Sequence, residues 1–168
     1  MKKLLLVGML LISTFAYSQI EKGDVALTFN GSYLGTEDYS FGLFSAKVGR
    51  YFTQNIEAGV TPQLQLGEGF SAFGLGAYGT YNFLTADAKL LPYAGGSLNI
   101  FTQSIDGADS FNSTDAGLYG GSKYFLTETL NIDANINYTF NLANSADADL
   151  GGTFMFNIGV GFIFGKLK

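Results

Sequence analysis

The stretch Thr153-Phe154-Met155-Phe156-Asn157-Ile158-Gly159-Val160-Gly161-Phe162-Ile163-Phe164 alternates without a break. Phe154, Phe156, Ile158, Val160, Phe162 and Phe164 share one side of an extended chain, and Thr153, Met155, Asn157, Gly159, Gly161 and Ile163 share the other. Successive strand residues point to opposite faces, so a period of two marks a strand lying between two different environments. Working back, residues 130–142 repeat the pattern. Leu130, Ile132, Ala134, Ile136, Tyr138, Phe140 and Leu142 alternate with Asn131, Asp133, Asn135, Asn137, Thr139 and Asn141. Near the start, Val25, Leu27, Phe29 and Tyr33 stand against Ala26, Thr28, Asn30 and Ser32.

Five more segments complete the series: residues 41–52, 56–66, 71–83, 90–101 and 114–126. In the third strand Ile56, Ala58, Val60, Pro62, Leu64 and Leu66 oppose Glu57, Thr61, Gln63 and Gln65. Eight strands of about ten residues each match the length that a tilted strand needs to cross a bilayer. A lipocalin-type barrel or a two-sheet sandwich also has a period of two, but its inner faces are apolar and its outside wet. Here the second faces carry Asn, Gln, Thr, Gly and single charges, a poor dry core. The arrangement predicted is an all-β, eight-stranded antiparallel up-and-down transmembrane β-barrel, with its apolar face on lipid and its polar face filling a narrow lumen.

The N-terminus supplies the compartment. Lys2 and Lys3 precede an apolar run from residue 4 to 12, and Ala16-Tyr17-Ser18 has the small-x-small form of a cleavage site. Residues 1–18 therefore read as a secretory signal peptide and 19–168 as one barrel domain, in the outer membrane of a Gram-negative bacterium. The composition agrees: 23 Gly, 2 Pro, 16 Phe, 10 Tyr and no Cys. No disulfide framework or thiol chemistry is available. The net charge of −5 becomes more negative when the two leader lysines leave, which argues against nucleic acid as a partner.

Three connections look alike: Tyr51-Phe52-Thr53-Gln54-Asn55-Ile56, the looser Tyr81-Asn82-Phe83-Leu84-Thr85, and Tyr124-Phe125-Leu126-Thr127-Glu128-Thr129-Leu130. They recur about two strands apart, so they share one rim. The opposite rim takes connections near 34–40, 67–70, 102–113 and 143–149. Short turns face the periplasm in such barrels, so the Tyr-Phe rim and both chain ends are expected there. With these motifs, Val48-Gly49-Arg50-Tyr51-Phe52-Thr53-Gln54-Asn55-Ile56 and Gly121-Ser122-Lys123-Tyr124-Phe125-Leu126-Thr127, and the aromatic last strand, the chain resembles the small OmpX/OmpA-type outer-membrane β-barrel family in its stand-alone form. The resemblance covers residues 24–164 and implies outer-membrane lipid, lipopolysaccharide and the barrel-insertion machinery as partners. Family barrels commonly finish on an aromatic; here Gly165-Lys166-Leu167-Lys168 follows Phe164. No peptidoglycan-binding domain is expected after the barrel.

The chain has no histidine, which removes Ser-His-Asp triads and His-based metal sites. Glu57 and Asp133 lie on different strands with no sign of convergence, so no enzyme and no cofactor are expected. Pairing Leu126 with Leu130 sets Lys123 opposite Asp133, both inward, with Tyr124 and Ile132 outside. The same register at the first turn puts Arg50 opposite Glu57 and turns Lys47 outward at mid-membrane, a costly place that a bulge near Gly49 would relieve. Arg50, Glu57, Lys123 and Asp133 are thus expected as lumen charge pairs that plug the interior, with an ion pathway as the alternative. Gly74-Leu75-Gly76-Ala77-Tyr78-Gly79 lies inside a strand rather than before a helix and is no nucleotide fingerprint.

The second rim is acidic. Glu37, Asp38, Glu68, Asp106, Asp109 and Asp147, flanked by Asp115 and Asp149, are joined there by no Lys or Arg. Two readings stand. The loops are a solvated surface, or Asp106, Asp109 and Asp115 form one weak divalent-cation cluster and Asp147 with Asp149 another, since carboxylate oxygens suit Ca²⁺ or Mg²⁺. The function expected is a structural or surface-interaction barrel, with a narrow porin-like channel or port for small solutes as the alternative.

Overall fold

The computed structural model describes residues 20–35, 40–85, 87, 89–105, 110–144 and 152–165. Eight strands follow in order: β1 Val25–Gly35, β2 Ser40–Tyr51, β3 Ile56–Gly67, β4 Phe70–Asn82, β5 Leu90–Ile105, β6 Phe111–Phe125, β7 Leu130–Asn144 and β8 Gly152–Phe164. Each pairs antiparallel with the next, and β1 closes the ring on β8 from Val25↔Phe164 to Gly31↔Ile158. Closure leaves no sheet edge with unpaired backbone groups. The expected all-β closed barrel of eight antiparallel strands is the observed fold.

Alternation places the side chains as the sequence indicated. Phe73 is 60% exposed and Leu118 63%, while Asn131 is 1% and Asp133 2%. The exterior is apolar and the interior polar, the inverse of a water-soluble domain. Exposed Phe52, Tyr81, Phe83, Tyr124 and Phe164 lie near the rim that carries the 52–55, 83–89 and 126–129 connections.

The strands run further than expected at the other rim. β5 continues to Ile105 and β6 begins at Phe111, so the connection between them shrinks to 106–110. The β3–β4 connection is residues 68–69, where Gly69 takes φ 71°, a left-handed conformation that suits glycine. Meanwhile β4–β5 needs residues 83–89. Connection length therefore does not separate the two rims.

The register of β2 on β3 corrects the expected one. Tyr51 pairs with Glu57, Arg50 with Ala58 and Val48 with Val60. The turn explains the one-residue difference. Phe52 N–H donates to Ile56 O (2.8 Å), as Leu126 N–H does to Leu130 O (2.9 Å). In each turn a threonine hydroxyl accepts from two backbone N–H groups: Thr53 from Asn55 and Ile56, Thr127 from Thr129 and Leu130. The two turns superpose on Thr53 and Thr127, not on their Tyr-Phe pairs. Tyr51 then corresponds to inward Phe125, and Arg50 to outward Tyr124. Arg50 is exposed on the outer face near the rim rather than in the lumen. Lys47 lies on the inner face without any bulge at Gly49, so the outward cation expected there is absent.

Candidate lumenal site

The lower lumen is a polar layer of two hydrogen-bonded clusters. Lys123 Nζ donates to Glu57 Oε2 at 2.6 Å and to Tyr51 Oη at 2.9 Å. Tyr78 Oη donates to the other oxygen, Glu57 Oε1, at 2.6 Å. Asp133 Oδ1 accepts from Tyr93 Oη (2.6 Å) and Asn135 Nδ2 (2.8 Å), and Asn135 accepts in turn from Asn157 (3.0 Å). Lys123 and Asp133 stand opposite in register. The ammonium nevertheless reaches across the barrel to Glu57, while Asp133 is held by neutral donors. Burying charge is tolerable only with such dense hydrogen bonding.

Beneath this layer the barrel has a floor. Ile20, Ala26, Tyr51, Leu91, Phe125 and Ile163 are buried together, with Leu84 packed against them. Ile20 arrives there because the chain turns sharply before β1. Gly23 takes φ 100°, its N–H donates to Tyr51 O, and Glu21 N–H donates to Asp24 Oδ2. The segment ahead of the first strand thus folds into the mouth of the barrel.

Above the polar layer the lumen is hollow. A cavity of about 70 Å³ includes Asn30, Lys47, Tyr78, Tyr119, Asn137 and Asn157 in its wall. A second hollow of about 260 Å³ shares Gln65, Phe101, Asp115, Thr139 and Met155 with it and reaches toward the acidic rim. The interior is a cup, closed at one end.

Among the expected lumen charges, Glu57, Lys123 and Asp133 lie in the polar layer and Arg50 does not. Asp115, assigned to the loop margin from the sequence, sits within β6 and accepts from Asn141 Nδ2 at 2.8 Å. Asp106, Asp109, Asp147 and Asp149 lie outside the described residues, as do residues 1–18. Among the described residues no group of three His, Cys, Asp or Glu side chains is placed to hold a metal ion.

Sequence reasoning missed the inward tyrosines. Tyr51, Tyr78, Tyr93 and Tyr119 are all buried, and the first three take part in hydrogen bonds of the polar layer. The signal was present. Tyr78 follows Ala72, Gly74 and Gly76 on one strand face, where small residues leave room for large ones opposite. A Cβ on Gly49 would lie 2.1 Å from Tyr78 Oη, and one on Gly74 would lie 2.4 Å from the Phe101 ring. These glycines are spaces for lumen aromatics as much as aids to curvature.

No protein-family model matches the sequence, and no curated protein does. Solved structures do match. The N-terminal β-barrel domain of Pseudomonas aeruginosa OprF aligns with TM-score 0.71 and 21% identity over 86% of this chain and 100% of that one. Neisserial surface protein A (NspA) aligns with TM-score 0.71 and 16% identity over 85% of this chain and 98% of that one. The outer membrane protein OprG of Pseudomonas aeruginosa gives TM-score 0.63 and 14% identity over 88% and 99%. At these identities the likeness is one of fold: the chain has the small eight-stranded barrel architecture found in outer-membrane proteins.

Proposed function

We propose that this is an outer-membrane barrel of a Gram-negative bacterium with a structural or surface-interaction role and a closed lumen. Residues 1–18 serve as the export signal and residues 19–168 form the barrel. The observation that carries the reading is the inverted distribution of polarity: phenylalanines and leucines exposed outside, and an ion pair buried inside at 5% and 3% exposure. Water would not stabilise that exterior; hydrocarbon does. Among the described residues no helix is long and apolar enough to span a bilayer, so the crossing is made by strands.

In this reading, which turn length does not decide, the Tyr-Phe rim that carries both chain ends faces the periplasm and the acidic rim faces outward. Lipid, lipopolysaccharide and the insertion machinery are its partners, in keeping with the fold it shares with barrels described as surface and outer-membrane proteins. A channel is the weaker reading, because the Ile20–Tyr51–Phe125 floor stands across the lumen. Electrophoresis of the detergent-refolded protein tests the membrane assignment. The folded barrel should migrate faster unheated than boiled, and the protein should require detergent or lipid to remain in solution. A β-rich protein that is monodisperse in plain buffer overturns the proposal.

A further inference from the structure

Lys47 is the unusual group in the lumen. Glu57 is engaged by Lys123 and Tyr78, and Asp133 by Tyr93 and Asn135. Among the described residues the one salt bridge is Lys123–Glu57, so Lys47 has no carboxylate within ion-pair reach. Its ammonium instead meets two ring faces, 4.3 Å from the Tyr119 centroid and 5.7 Å from that of Tyr78. Cation–π contacts stabilise the charge but accept none of its three N–H bonds well. The adjacent cavity holds a second group in the same condition. Asn30 is 7% exposed, faces that cavity, and has both amide atoms without a hydrogen-bond partner. Asn137, two strands away on β7, leaves its Oδ1 unpartnered as well.

From this arrangement we infer that the bottom of the cup is a binding site for one small monovalent anion, of chloride, nitrate or formate size, held by Lys47 and the Asn30 amide. The charge of Lys47 and its free N–H groups supply the attraction, and Asn30 Nδ2 supplies a neutral donor. An accompanying water satisfies the amide oxygens of Asn30 and Asn137; about 70 Å³ accommodates both. Asp133 and Glu57 are close enough to interact electrostatically with Lys47, and Asp115 overlooks the approach, so affinity is modest and a doubly charged anion is disfavoured. The site rests on the closed lumen and not on the membrane assignment.

The test uses the refolded barrel in neutral detergent. Its thermal midpoint is followed during nitrate titration, with gluconate holding ionic strength constant. Binding to the folded state alone should raise the midpoint in a saturable way. The rise should vanish in Lys47→Met and in Lys47→Gln, the latter keeping a polar side chain should the former fail to refold. Crystals grown with bromide should give an anomalous peak within hydrogen-bond distance of Lys47 Nζ. An equal response in wild type and both variants, or water alone at that position in the bromide crystal, overturns the inference and leaves a hydrated lysine.

Discussion

Lys123 on β6 and Glu57 on β3 stand three strands apart around the ring, and their side chains meet across the lumen at 2.6 Å. The pair is a strut through the interior, not a cross-strand contact. Lys123→Met should leave a buried carboxylate without its cation and cost about 3–5 kcal/mol. Combining it with Glu57→Gln should restore much of the loss. Urea unfolding from lipid vesicles measures both, and strictly additive single-variant losses would mean that the two groups do not act together.

Ile136 is 46% exposed on β7 between Gly120 and Phe156. On the proposed lipid face, near the middle of the strand, Ile136→Arg should cost about 2–4 kcal/mol. Ile136→Leu should be close to neutral. On a water-facing surface the arginine would change stability by only about 0.5 kcal/mol. Vesicle insertion and unfolding of the two variants separate lipid from water at this face.

Most of the fold was legible because alternation is a local signal repeated eight times. Strand identity, inward and outward faces and the β6–β7 register can all be read from neighbours in sequence. The β2–β3 register could not be read from the aromatics, because Tyr51-Phe52 and Tyr124-Phe125 look equivalent while the turn is built on Thr53 and Thr127. The polar layer was legible only in composition. Which cation reaches Glu57 depends on distances across a closed ring between residues 66 positions apart. The floor was hidden for the same reason, since Ile20 precedes the first strand and carries no periodic signal.

Gly74 leaves the space that the Phe101 ring fills. Gly74→Ala should therefore be destabilising by about 1–3 kcal/mol through overpacking. Phe101→Leu in the same chain should relieve part of that loss, although Phe101→Leu alone should cost stability. If glycine served only strand curvature at this position, the second change would bring no relief. Comparing the three variants in detergent unfolding decides the matter.

Tyr51 is fully buried where the floor meets the polar layer, and its hydroxyl accepts from Lys123. Tyr51→Ala should cost about 3–5 kcal/mol, in the range of buried aromatic truncations. Together with Ile20→Asp it should also admit ions. Planar-bilayer recordings should find the wild type silent and the double variant leaky. Steady conductance from the wild type would favour the channel reading.

The seating of Ile20 also fixes an order of events in assembly. Its pocket is made by Tyr51 of β2, Leu91 of β5, Phe125 of β6 and Ile163 of β8. Those strands come together only when β8 has returned to β1, the pairing most distant in sequence and therefore entropically the slowest to form. The residue that precedes the first strand is thus among the last to find its place. A ring that has not yet closed has no stopper, so the barrel becomes sealed in the same step in which it becomes complete.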